Sequence, residues 1–334
     1  MTMPGFSFSL FIMAAMSLKL NSAWAFAILL GLVALVIAPQ LQIATPLLLP
    51  TALIRWLLIS SLALVAGGIA FVPLVLSHPG LVEFGESLRA RRRMVLLTVI
   101  VFAAIMSPFD YGYSLAEQSS AGLGAVWARF ALLLLLWVLV WLKRDGTLWV
   151  LLPAALLLLT RSVQSHAAGL PGWLAPVLAD WAHFIFASAW LGGVAMLAMV
   201  VVPIALLPQP KLKELGIVVA RFSPIALFCV FGVALTGLAQ SAGMLGSMEA
   251  LLYTSYGRAI LVKIGIFIIL IGFGAFHQQV ITPRLQAWRL RDAVNAQTTA
   301  RRLRWSIIAE LVVSAILLAV VGLLVSLPLP MQTL

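Results

Sequence analysis

Long runs of apolar residues, separated by short polar segments, constrain this chain more than any other feature of its sequence. Hydrophobic residues make up 63% of the 334 residues and charged residues only 9%, a balance far from that of a soluble domain. A helix needs about 20 mostly apolar residues to cross the hydrocarbon core of a bilayer. The sequence therefore predicts an all-α fold, a polytopic helical bundle embedded in a membrane.

Eight apolar runs follow Pro39, and we expect each of them to cross the membrane. The predicted spans are 53–76, 94–109, 126–142, 148–165, 178–206, 216–242, 258–281 and 303–327. One more apolar run, 23–38, precedes them, and we interpret it as an uncleaved extra helix because the segment before it lacks the early positive charge of a signal peptide. The predicted domains are an N-terminal region over 1–49 and an eight-helix transmembrane domain over 50–334.

Basic residues are concentrated in alternate loops, which predicts the orientation of the chain. They are Arg89, Arg91, Arg92, Arg93, Lys143, Arg144, Lys211, Lys213, Arg284, Arg289, Arg291, Arg301, Arg302 and Arg304. Cytoplasmic loops carry the excess of lysine and arginine, so we predict a cytoplasmic N-terminus and a periplasmic C-terminus in a bacterial inner membrane. The basic residues that give the net charge of +11 then orient the chain among membrane lipids. We therefore predict no nucleic-acid partner.

Two histidines flank one short turn on the predicted periplasmic side. His166 follows one apolar run and His183 opens the next, with Asp180 three residues earlier on the same helical face. Imidazole suits copper, and a carboxylate can orient an imidazole ligand or bind the metal itself. We predict that His166, His183 and Asp180 form a metal-binding site at the periplasmic entrance of the bundle. The alternative is that both histidines are ordinary polar groups at the membrane interface.

Two methionines extend this predicted site. Met244 and Met248 are spaced i,i+4 on the periplasmic side, and thioether sulfur favours Cu(I), although methionine is also common in apolar helices. Cys229 begins a stripe that continues to Thr236 and Gln240. We interpret that stripe as a packing seam between helices in preference to a copper conduit.

Charged residues inside a membrane need partners. We predict that Arg221 pairs with Glu310 near the cytoplasmic boundary, and that Lys263 pairs with an acid on the opposite side or extends toward the interface. His277 and His78 are interpreted as solvated boundary residues, although either could receive an ion that leaves the bundle.

Several segments together resemble a known family. They are DWAHFIFASAWLGG at 180–193, RFSPIALFCVFGVALTGLAQS at 221–241, YGRAILVKIGIFIILIGFGAFHQQVITPRL at 256–285 and LRWSIIAELVV at 303–313. RWLLISSLALVAGGIAF at 55–71 resembles the first helix of the same family. The chain is similar to the copper resistance protein D (CopD/PcoD) family of bacterial inner-membrane copper proteins.

This resemblance implies an eight-helix bundle that moves copper, often together with a small periplasmic copper-binding protein of the CopC type. The chain contains no P-loop motif, so we do not expect it to power transport with ATP by itself. We therefore predict a transporter and not an enzyme, with copper ion imported from the periplasm. Two alternatives remain: a haem-binding electron-transfer protein with His166 and His183 as axial ligands, or a periplasmic-face copper sensor or donor.

Overall fold

Helices make up the part of the chain that the structure describes. The computed structural model describes residues 48–116, 122–206, 211–287 and 293–327, and no strand occurs within these ranges. The helix predicted over 23–38 lies outside them. The long helices are α1 Leu48–Phe71, α2 Val82–Ala116, α3 Leu123–Trp141, α4 Leu151–Ser162, α5 Leu174–Met196, α6 Leu212–Leu245, α7 Ser255–Phe276 and α8 Ala293–Leu324.

Seven of these helices are long and apolar enough to cross a membrane, and the all-α, multi-pass prediction is confirmed for the described residues. The exception is α4, which together with the preceding turn forms a shorter apolar helix, Leu148–Ser162. It ends before the predicted boundary at 165 because Ser165 starts a new 3₁₀ turn, in which its hydroxyl accepts a hydrogen bond from the Ala167 amide at 3.3 Å.

The centre of the bundle is the crossing of α1 and α5. α1 also packs against α2, α4 and α8, while α6 covers another side of α5 and α7 packs against α8. At the crossing, a Cβ atom on Gly67 would lie only 1.9 Å from the Ser188 carbonyl oxygen. A Cβ atom on Gly192 would lie 2.6 Å from the Gly67 Cα atom. The two backbones are therefore in direct contact, which glycine permits.

Arginines stabilise the end of the bundle that we call the basic end, where α1 finishes and α6 begins. Arg92 and Asp145 form a buried ion pair at 2.8 Å. Arg221 donates hydrogen bonds to the carbonyl oxygens of Val75 at 2.9 Å and Leu74 at 3.2 Å, inside the short π-helical segment Val72–Leu76. The predicted Arg221–Glu310 pair is therefore wrong, since the irregular backbone after α1 takes up the Arg221 guanidinium.

Buried charges also connect the helices at the opposite end, which we call the histidine end because it carries His166. Asp110 on α2 lies 3.6 Å from Arg55 on α1 and 3.8 Å from Arg129 on α3. Arg129 has no exposed surface and donates a hydrogen bond to the Thr160 hydroxyl on α4 at 3.1 Å. This network joins four helices, and Arg55 also donates a hydrogen bond to the carbonyl oxygen of Val325, the residue after α8, at 2.9 Å.

Asp110→Asn is expected to lower the free energy of unfolding by about 3–5 kcal/mol, because two buried arginines lose their shared carboxylate. The melting temperature of the detergent-solubilised protein measures the effect. The matched control is Glu86→Gln, which removes an exposed ion pair with Arg89 and is expected to cost about 0–1 kcal/mol. Equal melting temperatures for the two variants would contradict the structural role given to Asp110.

Candidate functional site

A cavity of about 280 Å³ lies between α5, α6, α7 and α8, in the half of the bundle nearer the histidine end. We call it the His183 chamber. The side chains with polar or sulfur atoms on its wall are His183, Trp190, Gln240, Ser241, Met244, Tyr256 and Lys263. Aliphatic residues and Phe267 form most of the remaining wall. A mainly apolar cavity with a few convergent polar groups is typical of a ligand-binding site.

The His183 ring is hydrogen bonded to Thr236 on α6. The Thr236 hydroxyl donates its hydrogen to the Gly232 carbonyl oxygen at 2.6 Å. Its oxygen therefore accepts a hydrogen bond from His183 Nδ1, which lies 2.9 Å away. In a neutral ring this arrangement leaves a lone pair on Nε2. His183 is thus oriented as a metal-binding histidine commonly is, with its second nitrogen held by a neighbouring group.

Gln240, at the other end of the Cys229 stripe, also contacts α5. Cys229 is buried, and the Gln240 amide donates a hydrogen bond to the Ala179 carbonyl oxygen at 3.2 Å. Gly237 also faces α5, because a Cβ atom there would lie 3.2 Å from Cε1 of His183. These contacts agree with the packing-seam interpretation, and the same seam also orients the His183 ring.

The two predicted methionine ligands occupy different surroundings. Met244 is 8% exposed and lines the chamber, where its sulfur accepts a hydrogen bond from the Tyr256 hydroxyl at 3.0 Å. Met248 is 74% exposed and is not part of the chamber wall. The structure therefore brings Met244, but not Met248, into one cavity with His183.

Asp180 lies beside the chamber wall and interacts electrostatically with a lysine within it. Its carboxylate is close to the hydroxyl groups of Ser162 and Ser165 and interacts electrostatically with Arg161 and Lys263. Lys263 lines the chamber, and Asp180 is the acid that acts on it. Within the described ranges, no salt bridge of 4 Å or less joins Asp180 to Lys263, so the pairing predicted for Lys263 is present only as this electrostatic interaction.

His166 lies on the turn after α4, next to the chamber but not in its wall. Its ring packs edge-on against the Tyr256 ring, with centroids 6.4 Å apart. Burial, together with the nearby charges of Arg161 and Arg55, lowers the pKa of His166 to about 4. The ring is therefore neutral at physiological pH, the form in which imidazole binds a metal.

The structure does not bring His166, His183 and Asp180 together into one metal site with three ligands. Within the described ranges, no three side chains of histidine, cysteine, aspartate or glutamate lie close enough together to hold a metal ion. The reason is that the His183 ring faces α6 while His166 faces α7. His166 and Asp180 instead adjoin Tyr256 and Lys263, two residues of the chamber wall.

A second cavity, of about 130 Å³, lies on the other side of Trp190 toward the basic end. We call it the Glu310 chamber, and its polar wall residues include Ser223, His277, Gln278 and Glu310. His277 Nδ1 lies 3.3 Å from a Glu310 carboxylate oxygen, and its Nε2 lies 2.7 Å from the Ser306 hydroxyl. The interpretation of His277 as a solvated boundary residue is therefore wrong, because α8 supplies two polar partners that shield the ring.

Comparisons with known proteins agree on one class. Residues 216–324 match the family model described as copper resistance protein D. A relative described as copper transport protein CutJ, from Bacillus subtilis (strain 168), is 36% identical over 121 residues, which is 36% of this chain and 22% of the relative. The chain thus matches about a fifth of that relative's length. No solved structure matches the chain significantly.

Proposed function

We propose that the chain is a transporter that moves copper ions across a bacterial inner membrane, because residues 216–324 match the model of the copper resistance protein D family. One observation carries the proposal. His183, whose Nδ1 is hydrogen bonded to Thr236, lines a cavity whose other walls come from α6, α7 and α8 of the matched region. Copper is the cargo of this site, and no chemical reaction is assigned to the chain.

The proposed binding site in the chamber combines a nitrogen and a sulfur donor. His183 offers Nε2 and Met244 offers its thioether, a pair that suits copper and especially Cu(I). Tyr256 holds the Met244 sulfur at the chamber wall. Asp180 offsets the charge of Lys263, which would otherwise repel an entering cation.

The remaining predicted ligands are assigned to the approach to the chamber. Met248 is exposed, and the neutral His166 ring adjoins Tyr256, so both can capture copper before it enters. We propose that a small periplasmic copper-binding protein of the CopC type delivers the ion at this end. This assignment makes the histidine end periplasmic and the basic end cytoplasmic, as the distribution of arginine and lysine also predicts.

The proposed direction is import. A cation that moves inward gains about 2.3 kcal/mol per charge for each 100 mV of inside-negative potential. No further energy source is needed to drive copper from the His183 chamber to the cytoplasm.

Radiolabelled copper uptake into proteoliposomes tests the proposed function. We expect uptake to exceed that of empty liposomes and to rise when a potassium diffusion potential makes the interior negative. A rate equal to that of empty liposomes would contradict transport. A visible absorption spectrum of the purified protein tests the haem alternative, for which a Soret band would be the supporting result.

A further inference from the structure

Glu310 is a buried carboxylate in the membrane-spanning part of α8. It is 2% exposed and lies within the candidate span Thr298–Leu324. Its partner among the described residues is His277, whose Nδ1 lies 3.3 Å from a Glu310 carboxyl oxygen, and the Trp190 side chain is also close to it. A carboxylate is costly in a membrane and usually faces a functional cavity or a pathway.

Two other buried acids show how this protein stabilises a carboxylate for structural purposes. Asp110 is held between Arg55 and Arg129, and Asp145 is held by Arg92. Each therefore has a permanently charged partner, since arginine stays protonated in proteins. The partner of Glu310 is a histidine instead, and a histidine is charged only when it is protonated.

Glu310 also borders open space. The Glu310 chamber has a volume of about 130 Å³, enough for an ion with a few water molecules at about 30 Å³ each. Its wall offers a carboxylate, an imidazole, the amide of Gln278 and the hydroxyl of Ser223. Nitrogen and oxygen donors of this kind bind first-row transition-metal ions.

The backbone at this chamber is irregular at the residue that supplies the imidazole. His277 is the first residue of the π-helical segment His277–Ile281, which follows α7 directly. The Thr282 hydroxyl donates a hydrogen bond to the His277 carbonyl oxygen at 2.9 Å and so stabilises the segment. Short π-helical segments within helices are frequent at functional sites.

We propose that His277 and Glu310 form a second copper-binding site, on the cytoplasmic side of the path, where the ion rests after leaving the His183 chamber. This inference rests on the proposed function and adds a site to it. The Glu310 carboxylate supplies the negative charge that the His183 chamber lacks, and the His277 ring supplies a nitrogen ligand once it separates from Ser306.

Trp190 is the partition between the two sites. It lines both chambers, is 3% exposed, and packs edge-on against Phe267 with ring centroids 5.8 Å apart. It follows His183 by seven residues on α5, a rise of about 10 Å along the helix. In this proposal, the Trp190 side chain moves aside when an ion passes from one chamber to the other.

The number of Cu(I) ions bound to the purified full-length chain tests the second site. In an anaerobic titration against a chromogenic Cu(I) chelator, we expect about two ions per wild-type chain and about one for Glu310→Gln. His277→Gln is an independent variant of the same site, for which we also expect about one ion. Both substitutions are close in size to the original residue, and size-exclusion profiles and melting temperatures verify folding.

His183→Ala and His78→Asn complete the experiment. His183→Ala is expected to lose the other ion, and a His183→Ala, Glu310→Gln double variant to lose both. His78→Asn is the histidine control and should match the wild type, because His78 lies in neither chamber and asparagine can still accept the hydrogen bond from the Gly80 amide. Unchanged binding in Glu310→Gln and His277→Gln would overturn the second site alone. Absence of copper uptake by the wild type would overturn the proposed function.

Discussion

His183→Ala is expected to lower the rate of copper uptake into proteoliposomes by at least about tenfold, because the His183 chamber loses its proposed nitrogen ligand. The chamber would then keep the Met244 sulfur, which is already hydrogen bonded to Tyr256. Initial rates at low copper concentration are the appropriate measurement, since a weaker entry site limits uptake most under that condition.

Variants of Thr236 distinguish the effect of losing the orientation of the His183 ring from the effect of losing the ring itself. Thr236→Val removes the hydroxyl that accepts the hydrogen bond from Nδ1, and we expect a smaller decrease in uptake than with His183→Ala. Thr236→Ser keeps the hydroxyl and should transport at nearly the wild-type rate. Wild-type uptake by His183→Ala, or identical effects of the two Thr236 substitutions, would contradict the role given to the ring.

Gly67→Ala is expected to prevent stable packing of α1 against α5. The added Cβ atom would lie 1.9 Å from the Ser188 carbonyl oxygen, and a backbone group cannot rotate away as a side chain can. We expect a loss of at least about 3 kcal/mol in the free energy of unfolding, measured as a lower melting temperature or as failure to elute as a single species.

Gly265→Ala is the matched control for this crossing. Gly265 lies in α7, where an added Cβ atom meets nothing within 4 Å, so the substitution is expected to be neutral or to stabilise the helix by about 0.5–1 kcal/mol. Equal melting temperatures for Gly67→Ala and Gly265→Ala would show that the close contact of α1 and α5 is not needed for stability.

The helices were predictable because the apolar runs are long and because polar segments separate them. Hydropathy gives the length of a span and its approximate ends. It does not show which face of a helix meets which neighbour. The predicted Arg221–Glu310 pair illustrates the limit, because both residues lie at a similar depth while Arg221 contacts the backbone after α1 and Glu310 contacts His277.

The candidate site was predictable only in part, for the same reason. His183 and Thr236 each lie on a polar stripe visible in the sequence, but their hydrogen bond depends on how α5 and α6 pack together. The role of Arg129 was missed, because an arginine near the start of an apolar run resembles a residue at the membrane surface, whereas here it is fully buried against Asp110. The charge of Glu310 inside a predicted span was the available signal for the second chamber.

X-ray absorption at the copper K edge tests the central claim, that His183 binds copper inside the chamber, most directly. His277→Gln protein loaded with one equivalent of Cu(I) isolates the His183 chamber from the second site. We predict the multiple-scattering features of an imidazole ligand in this protein and their loss in the His183→Ala, His277→Gln double variant. A spectrum without imidazole features in the first protein, or one that is unchanged in the second, would contradict the claim.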